Sequence, residues 1–235
     1  MKLITNLFNA ISDNLISGGA YYLIAKAVLV TLFMTITAWI VAAALGILVS
    51  YLMCYEKKVV SNIGRGVCFV FRSVPALLTV WLFYYCLFGK ISINGMITGG
   101  VAIGFWGAGH LAEVLSRAVK KEQLRVSKTI SEKMESIYYT TVIPQALEDS
   151  LFDLKRLSVH ILQWTAIAGY IGVNDLTEVM YGIGHRTMYP FFSIAFAAIL
   201  YMIATLLIEG AFKLIEKVLI ATGEKADEDE EEYDE

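Results

Sequence analysis

From Ala27 to Met53 no side chain carries a charge. A hydrocarbon core about 30 Å thick needs roughly 20 apolar residues of helix at about 1.5 Å each, so this run is long enough to cross a bilayer. Further apolar segments follow at about Val67 to Phe88, Ile91 to Leu111, Leu151 to Val173 and Tyr189 to Ile208. Five transmembrane helices are predicted. Composition agrees: apolar residues make up 57%, charged residues 17%, and mean hydropathy is +0.61, against roughly 45–50% apolar and about 25% charged in soluble domains. The chain reads as an all-α integral membrane protein.

The first run is too long, and Lys26 too close to it, for a cleaved signal peptide, and no A-x-A-like site follows it. Orientation is read from the basic residues. Fifteen of the 19 Lys and Arg fall in residues 54–72, 112–156 or beyond Ile208, and the other four are Lys2, Lys26, Lys90 and Arg186. That asymmetry predicts an outer N-terminus and a cytoplasmic C-terminus.

Three cysteines, Cys54, Cys68 and Cys86, lie in or beside the spans without metal-ligand spacing, which predicts packing roles, no metal and no disulfide. The formal charge of −3 belongs to the tail, since Glu224 to Glu235 holds nine acidic residues and one lysine. The tail is self-repelling and aperiodic, and is predicted to be disordered. The expected organisation is therefore an extracytoplasmic segment at 1–20, a transmembrane domain at 21–220 and an acidic tail at 221–235.

Five is an odd number, and residues 1–110 do not visibly repeat, which argues against repeat-built secondary transporters. No G-x-x-x-x-G-K-[ST] motif occurs, so the chain has no phosphate-cradling loop of its own. It has no ATPase motif and is predicted not to be an enzyme. Uphill transport would draw its energy from another subunit.

A charged loop, about Ala112 to Arg156, lies between apolar segments and is predicted to face a partner on one side of the membrane. In the second span Pro75 removes a helix donor and Arg72 sits at the mouth. In the third, Gly100, Gly104 and Ala108 recur every four residues, the pattern of close helix packing within or between subunits. The fourth is more polar: Arg156, His160, Gln163 and Trp164 share a helix face with Asp153 one turn earlier. Ionised groups within a membrane cost roughly 2.5–3.5 kcal/mol each and usually face a bundle interior or a water-filled cavity. Asp153, Lys155 and Arg156 mark the interface. His160, Gln163 and Trp164 either line a pathway or form hydrogen-bonded packing between helices.

The motif-bearing residues are Val119, Lys121 and Gln123, then Val142, Ile143, Pro144, Gln145, Ala146 and Leu147, then Ile171, Gly172, Val173, Asp175, Leu176 and Thr177. They match V-P-K-G-Q-W-E-A-A, I-L-P-Q-A-L and I-G-V-P-E-L-T in ungapped register over nearly sixty residues. The chain here resembles the membrane-spanning permease subunits of bacterial ATP-binding-cassette importers for polar amino acids of the His, Gln, Glu or Arg type. Upstream, A-V-L-V-T-L and F-R-S-V-P-A-L-L resemble the family's first helix and its F-R-G-T-P-L-L. The resemblance covers about residues 20–215.

The resemblance implies a MetI-like core of five helices, as in type I importers. It also implies that the loop at about 112–150, with Gln123, Arg125, Val126, Ser127, Ser131 and Pro144, forms a coupling helix that docks on an ATPase. ATP and Mg would bind that partner; no cofactor is expected in this chain. A second permease subunit, in a homo- or heterodimer, and an extracytoplasmic solute-binding protein are further implied partners, alongside membrane lipid and without nucleic acid.

The chain departs from the pattern at several points. Arg125, Val126 and Ser127 stand for E-A-A, Ser131 for a glycine, and about one turn is missing between Glu113 and Val119. The family's K-D-T-S-L becomes Gln163, Trp164, Thr165, Ala166 and Ile167, so an amide and an indole replace a Lys-Asp pair. Trp and Tyr can cover an apolar or cationic group. The pathway candidates are His160, Gln163, Trp164 and Thr165. The alternatives are a permease for an osmolyte or modified amino acid and a non-transporting scaffold or sensor. A channel would show a filter segment, and none is found.

Overall fold

The computed structural model describes residues 9, 11–88, 94–126 and 148–233, with side chains described except at 87–88, 122–126 and 220–233. Every regular element among the described residues is helical. After a π turn at Ser12–Ile16, Gly18 and Gly19 adopt φ of +63° and +71°, values that suit residues without a Cβ. This elbow feeds α1, Ala20–Cys54. α2 is Lys58–Ser73, α3 Ala76–Leu82 with a π turn Phe83–Phe88, and α4 Gly95–Val126. α5 is Leu151–Trp164 and tightens into a 3-10 turn Thr165–Ile171; α6 is Leu176–Thr187 and α7 Pro190–Tyr233.

The centre of the fold is the contact of α1 with α4. Ala27, Thr31, Met34, Ala38, Ala42 and Gly46 are buried at helical spacing along α1. They meet the glycine face of α4: a Cβ at Gly104 would lie 2.6 Å from Val41 Cβ and 2.8 Å from the Ala38 carbonyl oxygen, and one at Gly100 2.9 Å from Thr37 Cβ. Reciprocally, a Cβ on Gly46 of α1 would lie 2.9 Å from Leu111. The small-residue repeat of the third span therefore serves packing within the chain. Around it Met34, Ile103, Leu115 and Ile161 are fully enclosed.

α2 folds back on the same pair. A Cβ on Gly64 would meet the Met53 backbone nitrogen at 2.8 Å, and one on Gly109 of α4 the Arg72 nitrogen at 2.9 Å. Ser61 Oγ donates to the Met53 carbonyl at 2.8 Å, satisfying an acceptor that the end of α1 leaves open. Cys68 is buried and its thiol donates to the Gly109 carbonyl at 3.3 Å, a packing role.

Two expectations from the sequence are corrected. Residues 67–88 do not form one straight span: the chain bends by 99° between α2 and α3. Pro75 lacks an N–H and forces Val74 out of helical geometry, to φ −84° and ψ 125°. The fourth segment, 151–173, is α-helical only to Trp164. Among the described residues, by length and hydropathy alone, two helical stretches are fit to cross a bilayer, Ser12–Cys54 and Pro190–Leu219, with the bent pair Lys58–Ser73 and Ala76–Cys86 as a third. At the end of the chain, helical backbone continues through Tyr233, where the composition of 221–235 suggests disorder. Ala, Glu and Lys all have high helix propensity.

A buried polar knot ties α6 to α1, α5 and α7. Asp175 is fully buried and caps α6, its Oδ1 accepting from the Glu178 amide at 2.8 Å. Its Oδ2 is enclosed without a hydrogen-bond partner among the described residues. Thr31 Oγ1 of α1 accepts from the Leu176 amide at 3.1 Å. Tyr201 Oη of α7 lies 3.1 Å from Thr177 Oγ1 and within reach of Thr165 and Thr31. On the other flank of α6, Asn14 Oδ1 accepts from Thr187 at 2.8 Å and Ser193 at 2.6 Å. Asp175 lies between the apolar segments 151–173 and 189–208. Burial pushes its carboxyl from 3.8 up to about 6, against the amides of Glu178, Thr177 and Gly169, while the Glu178 carboxylate adds to the rise.

Two predictions follow from this packing. Gly104→Ala forces its new methyl against Val41 and a carbonyl oxygen and should destabilise the protein by about 1–3 kcal/mol. Gly210→Ala, with open space at its Cβ, should not, and thermal unfolding in detergent compares them. The Asp175 carboxyl, raised to about 6 when folded, contributes stability that is complete below its unfolded value and is lost as pH rises through about 6. The protein should lose at most about 3 kcal/mol between about pH 4 and 7 from this group. Asp175→Asn keeps the cap and should flatten that part of the profile, measured by unfolding across pH.

Candidate functional site

The polar residues of α5 that share a helix face reach the surface of the bundle. His160 and Gln163 are exposed and Trp164 is half-buried. Behind them, α4 contributes an i, i+4 pair: the Trp106 ring centroid lies 4.3 Å from that of His110 and 5.6 Å from that of Trp164, the latter edge-on. His160 and Arg72 both lie within electrostatic range of His110. At the end of α2, Arg72 forms an ion pair with Glu113 of α4, and each side chain stays partly exposed. At the far end, Tyr170 meets Trp81 edge-on at 6.3 Å.

The geometry follows from the local sequence. Trp106, His110 and Glu113 lie at spacings of four and three, one face of α4. The break at Pro75 lets α2 end beside that face, with Gly109 admitting its backbone. His160, Gln163 and Trp164 lie on the facing helix. The result is a strip of charge, imidazole and indole across an otherwise apolar bundle.

Three of the four pathway candidates thus come together. Thr165 does not join them: two residues beyond Gln163 it stands on the opposite side of the helix, fully buried, where it donates to the Leu162 carbonyl at 2.7 Å and adjoins Tyr201 of the polar knot. Asp153 and Arg156 pair with each other at 3.3 Å on the exposed side of α5, as interface residues do. Trp106, His110 and Glu113 are the strip residues the sequence reading missed. Their signal was the four-and-three spacing, overshadowed by the glycine repeat interleaved with it.

Of the coupling-loop residues, Gln123, Arg125 and Val126 occupy the last turns of α4 as backbone, with side chains outside those described. Ser127, Ser131 and Pro144 lie outside the described residues altogether. The loop's two ends are joined: Lys121 Nζ donates to Asp149 Oδ2 at 2.7 Å. Both groups are exposed, so the pair is worth about 0–1 kcal/mol and serves chiefly to set where the loop leaves and returns. Among the described residues no group of three or more His, Cys, Asp or Glu is placed to hold a metal.

Residues 42–220 match the family described as binding-protein-dependent transport system inner membrane component. A putative glutamine transport system permease protein of Rickettsia conorii is 24% identical over 205 residues, covering 85% of this chain and 94% of the relative. The histidine/lysine/arginine/ornithine transport system permease protein of Escherichia coli is 21% identical over 209 residues, covering 83% and 92%. The octopine transport system permease protein of Rhizobium meliloti is 28% identical over 162 residues, covering 62% and 68%. Among solved structures, an amino acid ABC transporter superposes with a TM-score of 0.73 at 21% identity, covering 84% of this chain and 94% of that one. The MetNI methionine ABC transporter in an inward-facing conformation superposes with a TM-score of 0.70 at 18% identity, covering 86% and 99%. These likenesses establish a MetI-like fold. With three quarters of its length inside the family match, the chain belongs to the binding-protein-dependent transport system inner membrane components.

Proposed function

We propose that this chain is the permease subunit of an ATP-driven importer that takes a polar amino acid from a solute-binding protein into the cytoplasm by alternating access. The observation that carries this reading is the face of His160, Gln163 and half-buried Trp164, backed by Trp106 and His110, on a bundle that exposes many large apolar side chains. Polar groups at membrane depth belong on a pathway or against a partner. The glutamine and the histidine/lysine/arginine/ornithine permeases among its relatives supply the solute class.

In this reading five segments cross the membrane within residues 21–220. The N-terminal segment lies outside and the acidic tail inside, as the distribution of Lys and Arg favours. A second permease subunit faces the polar strip across the pathway. Two ATPase subunits, which bind ATP and Mg, dock on the loop that Lys121 and Asp149 hold together at its base. Arg125 in place of a Glu reverses the charge offered to that groove, so either the partner has co-adapted or this subunit couples weakly beside a more typical one.

Two outcomes test the reading. In proteoliposomes holding the assembled transporter, ATP-dependent uptake of glutamine, histidine or arginine should be measurable. Trp164→Ala should raise the half-saturating solute concentration by about five- to thirtyfold, the worth of one aromatic or cation–π contact, with basal ATP hydrolysis retained. Absence of uptake for every polar amino acid tried would refute the assignment. Separately, cysteines at Ser127 and Ser131 should crosslink to the ATPase in an assembled, hydrolysing complex, and failure of both would remove the coupling role of this loop.

A further inference from the structure

A second polar site lies away from the Trp–His strip. Between the first turns of α1, the start of α4 and the inner side of α6 is a cavity of about 550 Å³, within the range of about 300–1,000 Å³ usual for small-molecule sites. Its walls are mostly apolar, with Val30, Val173 and Ile183 among them, and three charged side chains reach it: Lys26 from α1 and Glu178 and Arg186 from α6.

The three charges are not equivalent. Arg186 is committed to the fold, because its Nη2 donates to the Ser17 carbonyl at 3.3 Å and its guanidinium packs on Gly18, where a Cβ would lie 3.1 Å from Nη1. None of the three has an ion-pair partner among the described residues, but Lys26 and Glu178 also make no side-chain hydrogen bond there and do not pair with each other, the Glu178 carboxylate resting over Gly169, where a Cβ would lie 2.8 Å from Oε2. A cation and an anion left unpaired on two sides of one apolar-walled cavity form a complement to a small molecule that carries both charges. Each would gain a charge-assisted hydrogen bond on binding, and the apolar walls would take the remainder of the molecule.

We propose that this cavity binds a free α-amino acid, with Lys26 holding the carboxylate and Glu178 the ammonium group. The proposal rests on the permease reading above, whose orientation puts this cavity on the extracytoplasmic side. It adds a site at which solute released by a binding protein is held before it reaches the Trp–His strip. The headgroup of phosphatidylethanolamine carries the same pair of charges, so the test separates the two sources.

Gly182 lines the cavity and has open space where a Cβ would stand, which makes Gly182→Cys a reporter of low cost. Cys86, the exposed native thiol, is replaced by Ser. The full chain in phosphatidylcholine nanodiscs is treated with a charged maleimide, with and without glutamine, histidine or arginine. At least one of these should slow labelling, and Lys26→Gln or Glu178→Gln should raise the concentration needed for protection about tenfold or more, the worth of one hydrogen bond to a charged group. No protection by any of the three, or protection indifferent to both substitutions, would overturn the site. Protection by phosphatidylethanolamine nanodiscs alone would assign the cavity to lipid and equally overturn it. Uptake by the assembled transporter keeps the two proposals apart: transport without protection sinks only this site, whereas no transport of any amino acid sinks the permease reading.

Discussion

The contact between α1 and α4 is what the rest of the structure depends on. In a bilayer, lipid tails are as apolar as Leu, so two helices gain little by burying hydrophobic side chains against each other. Their association rests on close van der Waals packing, which requires small residues. Here Gly100 and Gly104 admit Thr37 and Val41, and Gly46 admits Leu111. Because backbone meets side chain with no room to spare, the relative rotation of the two helices is set. That rotation decides which side of α4 faces outward.

The polar strip is a consequence. Gly100, Gly104 and Ala108 turn one side of α4 toward the core, and Trp106, His110 and Glu113 fall on another. α5 packs with Ile161 enclosed, which leaves His160 and Gln163 outward and brings Trp164 against Trp106. The 99° bend at Pro75 then delivers Arg72 to Glu113 from a helix that would otherwise have run past it. Each element obeys its own local chemistry, and the strip forms where their outward faces coincide.

Polar groups elsewhere are used differently. Asp175, Thr31, Thr165 and Tyr201 are drawn together inside the protein, at the junction of α1, the 3-10 turn, α6 and α7. There they replace the water that the backbone at a helix start needs. Asp175, one of the motif residues, serves this junction as a cap, and Thr165 belongs to it too. A residue that reads as part of a pathway in one dimension can thus be structural in three.

The sequence by itself determined that the chain is a helical membrane protein, since charge-free runs of that length admit little else. It also determined the family, through the ungapped register from Val119 to Thr177, and the shared face of His160, Gln163 and Trp164, which is a matter of helical period alone. The same period turns Thr165 away from that face, and only the tertiary structure decided what it meets there, Tyr201 of α7, because that contact joins elements far apart in the chain. It alone brought Trp106, His110, Glu113 and Arg72 to that face, and Lys26 and Glu178 to one cavity, because those residues are far apart in the chain and meet only through the rotation that the glycine contacts impose. Periodicity along one helix is local and legible; the angle between two helices is fixed by which side chains their partner lets in.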